Sequence, residues 1–182
     1  MRTLATDFQA DSANSQSKFS RFVEPALRAL GFSDVVSAEK QDSQLKRLLD
    51  FAGVDALARD TDGATVTLAS RVIEVKPYGD DYDCFSVRNS RANGYRTEDE
   101  KLQRAIEINS LRPMWHCQTF IDERLNLATV AIVRTRDLVN YIATHKTKTK
   151  TTHDGTKFKL ATWQELKRAG VEVRTTQIKT KK

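Results

Sequence analysis

The stretch "GVDALARDTDGATVTLASRVIEVK", Gly53 to Lys76, decides how this chain folds. Two runs of strand-forming residues flank Asp62-Gly63, and such a pair is a strong hairpin signal because glycine takes positive φ without strain. Pro77 and Gly79 end the second run. Side chains on a strand alternate faces, so Glu74 and Lys76 point the same way. The turn also sets a register. With a two-residue loop Asp55 lies opposite Ser70, and with a three-residue loop it lies opposite Ala69. Either way Glu74 falls four or five residues further on, roughly 13 to 17 Å at ~3.3 Å per residue.

Upstream, Phe19, Phe22, Val23, Ala26, Leu27 and Leu30 recur at helical spacing, predicting an amphipathic helix over 14–30 stopped by Gly31. A short extended piece at Val35 and Val36 and a helical turn near Leu45 to Leu49 follow. Downstream, "CFSVR" (Cys84–Arg88) reads as a third strand, followed by a polar loop. A helix over 96–109 has Thr97 and Glu100 placed for a capping box. "MWHCQTFID" and "NLATVAIVR" are strands, and "TRDLVNYIATH" is a helix capped by Thr135 or Asp137. The Lys/Thr alternation from Lys146 reads as an exposed loop turning at Asp154-Gly155, and "FKLATWQELKRAG" as a short strand and helix.

The chain has 182 residues, 39% of them hydrophobic, which suits one α/β domain. This gives a flexible 1–13, a core over 14–145 and a basic extension over 146–182. The net charge of +6 is unevenly spread: from Lys146 onward eleven Lys/Arg face three Asp/Glu. A basic segment of this kind attracts phosphate backbones. No apolar run reaches the ~20 residues that cross a bilayer, and a soluble, cytoplasmic protein without membrane contact is expected. Cys84 and Cys117 fit no metal or disulfide spacing and read as buried thiols. His116, His145 and His153 have no partner at nucleophile or zinc spacing.

In order, helix, three strands, helix and strand resemble the αβββαβ core of the PD-(D/E)XK nuclease superfamily, a mixed central sheet with flanking helices. The matching residues are Asp55 in "GVDALA" and Glu74 with Lys76 in "IEVK". The resemblance implies a Mg²⁺- or Mn²⁺-dependent nuclease that hydrolyses DNA phosphodiesters. Asp55 and Glu74 would hold the metal, Lys76 would position the attacking water, and Glu24 on the first helix would assist.

The register points to a different relative of the same fold. Opposite Asp55 stands "ASR" (Ala69–Arg71), in which alanine replaces the acid and arginine the lysine. The layout "GVDALA…ASRV…FSVR…TEDEKL" resembles degenerate, phage-type members of the superfamily. Alanine holds no metal, whereas arginine grips phosphate. On this alternative the chain binds nucleic acid or a protein partner, a second copy included, without cleavage. Arg71, Arg88, Arg91, Arg96, Lys146, Lys148 and Lys150 are the candidate contacts. Arg71 and Arg88 would line one cleft with Asp55 and Glu98, and the helix start beside these arginines would suit a phosphate. Asp50 and the turn residues Asp80, Asp81 and Asp83 are further acidic candidates.

Overall fold

In the computed structural model, which describes residues 14–75, 83–90 and 97–180, the hairpin has the longer of the two loops. Strands β2 (Ala56–Arg59) and β3 (Thr65–Glu74) pair antiparallel from Ala56 opposite Leu68 to Arg59 opposite Thr65. The Asp60 N–H donates to the Ala64 carbonyl at 3.0 Å, closing a three-residue turn with Gly63 at φ +77°. The Asp60 carboxylate pins this turn, accepting from the N–H groups of Asp62 and Ala64 at 3.0 Å each. Asp55, whose N–H donates to the Leu68 carbonyl at 2.8 Å, therefore stands opposite Ala69.

The other strands are β1 (Ser33–Ser37), β4 (Cys84–Ser90), β5 (Trp115–Asp122), β6 (Leu127–Arg134), β7 (Lys148–Thr151), β8 (Lys157–Thr162) and β9 (Val173–Lys179). Among the described residues six of the nine strands form a mixed sheet in the order β1-β2-β3-β5-β6-β9, in which β3 and β5 are parallel and the other neighbours antiparallel. The remaining three form an antiparallel sheet, β4-β8-β7. The "CFSVR" strand therefore starts a second sheet instead of extending the first. The Lys/Thr loop contains a strand, and the basic C-terminal segment closes the far edge of the main sheet through β9.

Helix α1 covers residues 14–29, passing through a π-helical turn at Phe19–Val23 into Glu24–Ala29. Gly31, at φ +96°, ends it. There the Phe32 N–H reaches back to the Leu27 carbonyl at 3.0 Å, an arrangement that favours glycine. The apolar side of α1 (Phe22, Val23, Ala26, Leu27) is buried on the main-sheet residues Leu68, Trp115, Cys117, Val130 and Ile132. Ala131 and Val133 of β6 face the other way and pack with Phe85, Val87, Leu138 and Leu166. With both faces covered, β6 reads in sequence as a near-continuous apolar run, interrupted by Thr129.

The predicted turn near Leu45 is a full helix, α2 (Ser43–Ala52), started by Asp42, whose carboxylate accepts from the N–H groups of Gln44 and Leu45. The remaining helices are α3 (Glu98–Glu107), α4 (Thr135–Thr144) and α5 (Trp163–Arg168). α4 has no side-chain cap from Thr135 or Asp137. Its N-cap position is Arg134, and the Thr135 N–H is satisfied by the Met114 carbonyl at 3.0 Å. On α3 the expected capping box forms in both directions. Thr97→Ala is expected to cost about 1 kcal/mol and to lower the melting temperature by roughly 2–4 °C in a thermal melt.

Candidate functional site

Asp55 is fixed from three sides. Its N–H bonds to Leu68, its carbonyl accepts from the Ala38 N–H at 2.8 Å, and its Oδ2 accepts from the Ser70 N–H at 2.6 Å. The last bond follows from the end of a ladder: the chain reaches Asp55 from α2 and enters β2 only at Ala56, and the aspartate side chain serves Ser70 where a strand neighbour would have done so. Protein crowds the carboxyl although it is open to the cleft. That desolvation, resisted by the Ser70 bond and the nearby Arg71 and reinforced by Glu98 and Asp50, pushes its pKa up to about 6.

Two clefts meet at this residue. The larger, of about 560 Å³, runs along β3 beneath the start of α1 and is lined by Lys18, Glu39, Asp50, Asp55, Val72 and Glu74. The smaller, of about 330 Å³, is lined by Asp55, Arg71, Arg88, Glu98, Lys101 and His116, among others. The grouping of Asp55, Arg71, Arg88 and Glu98 expected from sequence is therefore present. Glu98 organises it: its Oε2 accepts from Arg71 Nη2 at 2.6 Å and from the Arg88 N–H at 3.1 Å. The Arg71 and Arg88 guanidinium carbons lie 4.9 and 5.5 Å from the centre of the Phe158 ring, within cation–π range.

The helix start does not offer itself to a phosphate in the way the neighbouring arginines suggest. Its first turn already holds three carboxylates, Glu98, Asp99 and Glu100, which are favourable against the helix dipole. Each is committed: Glu98 to Arg71, Asp99 to Lys159 at 3.1 Å and Glu100 to the Thr97 N–H.

The carboxylates proposed as metal ligands are not brought together. Glu74 lies on the same cleft as Asp55 but five residues beyond Ala69, roughly 17 Å along the strand. It is paired with Lys18 of α1. A single Mg²⁺ or Mn²⁺ held at ~2.1 Å from each oxygen cannot span that gap, so Asp55 and Glu74 do not fit the shared ion that the resemblance implies. Among the described residues no cluster of three or more His, Cys, Asp or Glu is arranged to hold a metal ion. Glu24 stays on the surface of α1, accepting from Arg28 at 3.0 Å. Lys76, Asp80, Asp81, Arg91 and Arg96 lie outside the described residues. Asp83 contributes its carbonyl to the Trp163 N–H at 2.7 Å.

The basic residues of the C-terminal segment join the site through the second sheet. Arg88, Phe158 and Lys150 stand directly opposite one another across β4, β8 and β7, and Ser86, Leu160 and Lys148 form the next row. Residues opposite one another share a face, so one surface runs from Arg71 over Phe158 to Lys150 and Lys148. Lys146 is exposed just before β7.

His116 was not foreseen as part of the site. Parallel pairing of β3 with β5 sets it beside Ala69, extending the row that begins at Asp55. It is 1% exposed, and neither ring nitrogen has a hydrogen-bond partner among the described residues. Burial pushes its pKa down to about 4, leaving a neutral imidazole at pH 7. The sequence signal was a histidine beside a tryptophan within a strand. Among the described residues no helix is long and apolar enough to cross a membrane. No protein-family model, curated protein or solved structure matches the chain.

Proposed function

We propose that this chain binds nucleic acid, DNA in the first place, on a nuclease-type architecture whose cutting pair is not assembled. The observation that carries the reading is the continuous row of Arg71, Phe158, Arg88 and Lys150 beside the Asp55 cleft. Guanidinium groups stacked on an aromatic ring are held in place, and a phosphate then pays little ordering entropy to meet them. With α2 inserted between β1 and β2, and β4 of the second sheet between β3 and α3, the main-sheet elements α1, β1, β2, β3, α3 and β5 follow in that order with β3 parallel to β5, which supports reading the core as αβββαβ with β1 in the place expected for the "CFSVR" strand. The arginine that replaces the lysine of a (D/E)-x-K triplet supports binding over hydrolysis.

The test is fluorescence anisotropy of a short labelled duplex over a salt series, beside a plasmid assay in Mg²⁺ and Mn²⁺. About four phosphate contacts predict a slope of log affinity against log salt of roughly −3 to −4. Lys148→Ala and Lys150→Ala should each reduce that slope by about 1, and plasmid should remain intact. Salt-insensitive or absent binding would refute the reading. Cleavage lost in Asp55→Ala would overturn its non-cutting half and restore the nuclease.

A further inference from the structure

The smaller cleft has a lining that the phosphate surface does not explain. Three acidic side chains, Asp50, Asp55 and Glu98, face three basic ones, Arg71, Arg88 and Lys101. A phosphate group entering there would meet the carboxylates, and a simple cation would meet the guanidinium groups. What suits both is a planar edge that presents donors and acceptors side by side. His116 gives the independent sign of a missing ligand. It lines this cleft, is almost wholly buried, and has two ring nitrogens without partners among the described residues, although buried polar atoms are ordinarily satisfied. A neutral imidazole offers one donor and one acceptor.

We infer that this cleft receives an unpaired nucleobase, guanine by preference, from the nucleic acid bound on the adjoining basic surface. The inference rests on the nucleic-acid reading above and names what the cleft takes from it. Guanine presents N1–H and N2–H donors on one edge and O6 and N7 acceptors on the next. The Asp55 carboxylate accepts the first pair, Arg71, whose Nη2 stays on Glu98, donates to the second through its remaining N–H groups and leaves Arg88 and the lysines to the phosphates, and His116 lines the floor. The cavity of about 330 Å³ is at the lower end of ordinary ligand pockets, which suits one nucleoside and excludes a paired duplex.

The experiment compares one labelled 12-nucleotide single strand carrying a central guanine, adenine or abasic site, with binding to each measured by anisotropy at a fixed salt concentration. The guanine strand is expected to bind about tenfold more tightly than the abasic one. Asp55→Asn and His116→Phe should bring that ratio close to one, and Asp55→Asn keeps the test decisive should His116→Phe not fold. Equal affinity for the guanine and abasic strands, or a preference for adenine, would overturn the inference. Salt-sensitive binding without base discrimination removes only the nucleobase pocket, whereas loss of all salt-sensitive binding removes the underlying reading as well.

Discussion

Asp55→Asn and His116→Phe are expected to tilt the pH dependence of stability in opposite directions. Asp55 has a native pKa of about 6 against an ordinary 3.8. Below 3.8 it is protonated in both the folded and the unfolded chain and contributes no difference. As pH rises from 3.8 to 6 the unfolded chain ionises more readily, so the native state loses stability, and above 6 the full penalty is present. Asparagine carries no such penalty and can still accept the Ser70 N–H. Its advantage over the wild type should therefore be nil near pH 3.8 and complete above pH 6. Two units would be worth about 3 kcal/mol, but solvent reaches this carboxyl from the cleft, and about 1–2 kcal/mol is the expected gain.

His116 runs the other way, with a native pKa of about 4 against an ordinary 6.5. Above 6.5 the imidazole is neutral in both states. Between 6.5 and 4 the unfolded chain takes up a proton that the buried ring refuses, so the native state loses about 1.4 kcal/mol per pH unit. Phenylalanine keeps the edge-on contact with Phe85, whose ring centre is 6.0 Å away, and removes the titration. Its stability relative to wild type should rise by about 3 kcal/mol from pH 7 to pH 4. Urea unfolding at pH 4, 5, 6 and 7.5 separates the two slopes. Parallel curves for wild type and both variants would show that neither group is perturbed as described.

The parts of the fold that were legible in sequence were those set by neighbours along the chain. Asp62-Gly63 located the turn, and counting from it left Asp55 opposite Ser70 or Ala69 according to loop length; the three-residue loop selects Ala69, because a hairpin register has no freedom once its loop is chosen. Thr97 and Glu100 announced their capping box for the same local reason. The grouping of Asp55, Arg71, Arg88 and Glu98 was foreseen because the first three stand at strand positions and the fourth at a helix start. What stayed hidden was non-local. Cys84 to Val87 are buried in four consecutive positions, so their apolar pattern names no face and no neighbouring strand. β7 alternates Lys and Thr with every residue exposed, and only its hydrogen bonds to β8 make it a strand. β9 buries Val173 alone among its seven residues, with Ile178 half-buried against the core, so two separated apolar residues gave no strand pattern that marked it as a sheet edge. The place of His116 depends on the parallel register of β3 with β5, which no local rule sets.

A buried polar side chain ties together the two sheets that carry the site, so Gln118→Leu should cost far more than a volume-conserving exchange. Gln118 is fully buried on β5, beside Arg71 in the parallel register. Its Oε1 accepts from the Ser86 hydroxyl at 3.1 Å and the Ser86 N–H at 3.4 Å, and its Nε2 donates to the Arg71 carbonyl at 3.4 Å. It thus ties β4 to the strand pair that holds Arg71. Leucine fills a similar space but leaves a buried hydroxyl and an amide without their acceptor, and each such loss costs about 1–3 kcal/mol. A decrease of about 2–4 kcal/mol in urea unfolding is expected. Adding Ser86→Ala should return part of it, since removing both partners of a buried bond is far milder than removing one. The same change should loosen Arg88 and Phe158 against Arg71, weakening duplex binding even below the melting temperature. A Gln118→Leu protein as stable as wild type would mean that apolar packing alone holds the second sheet in place, and the stacked arginines would then need another explanation for their fixed spacing.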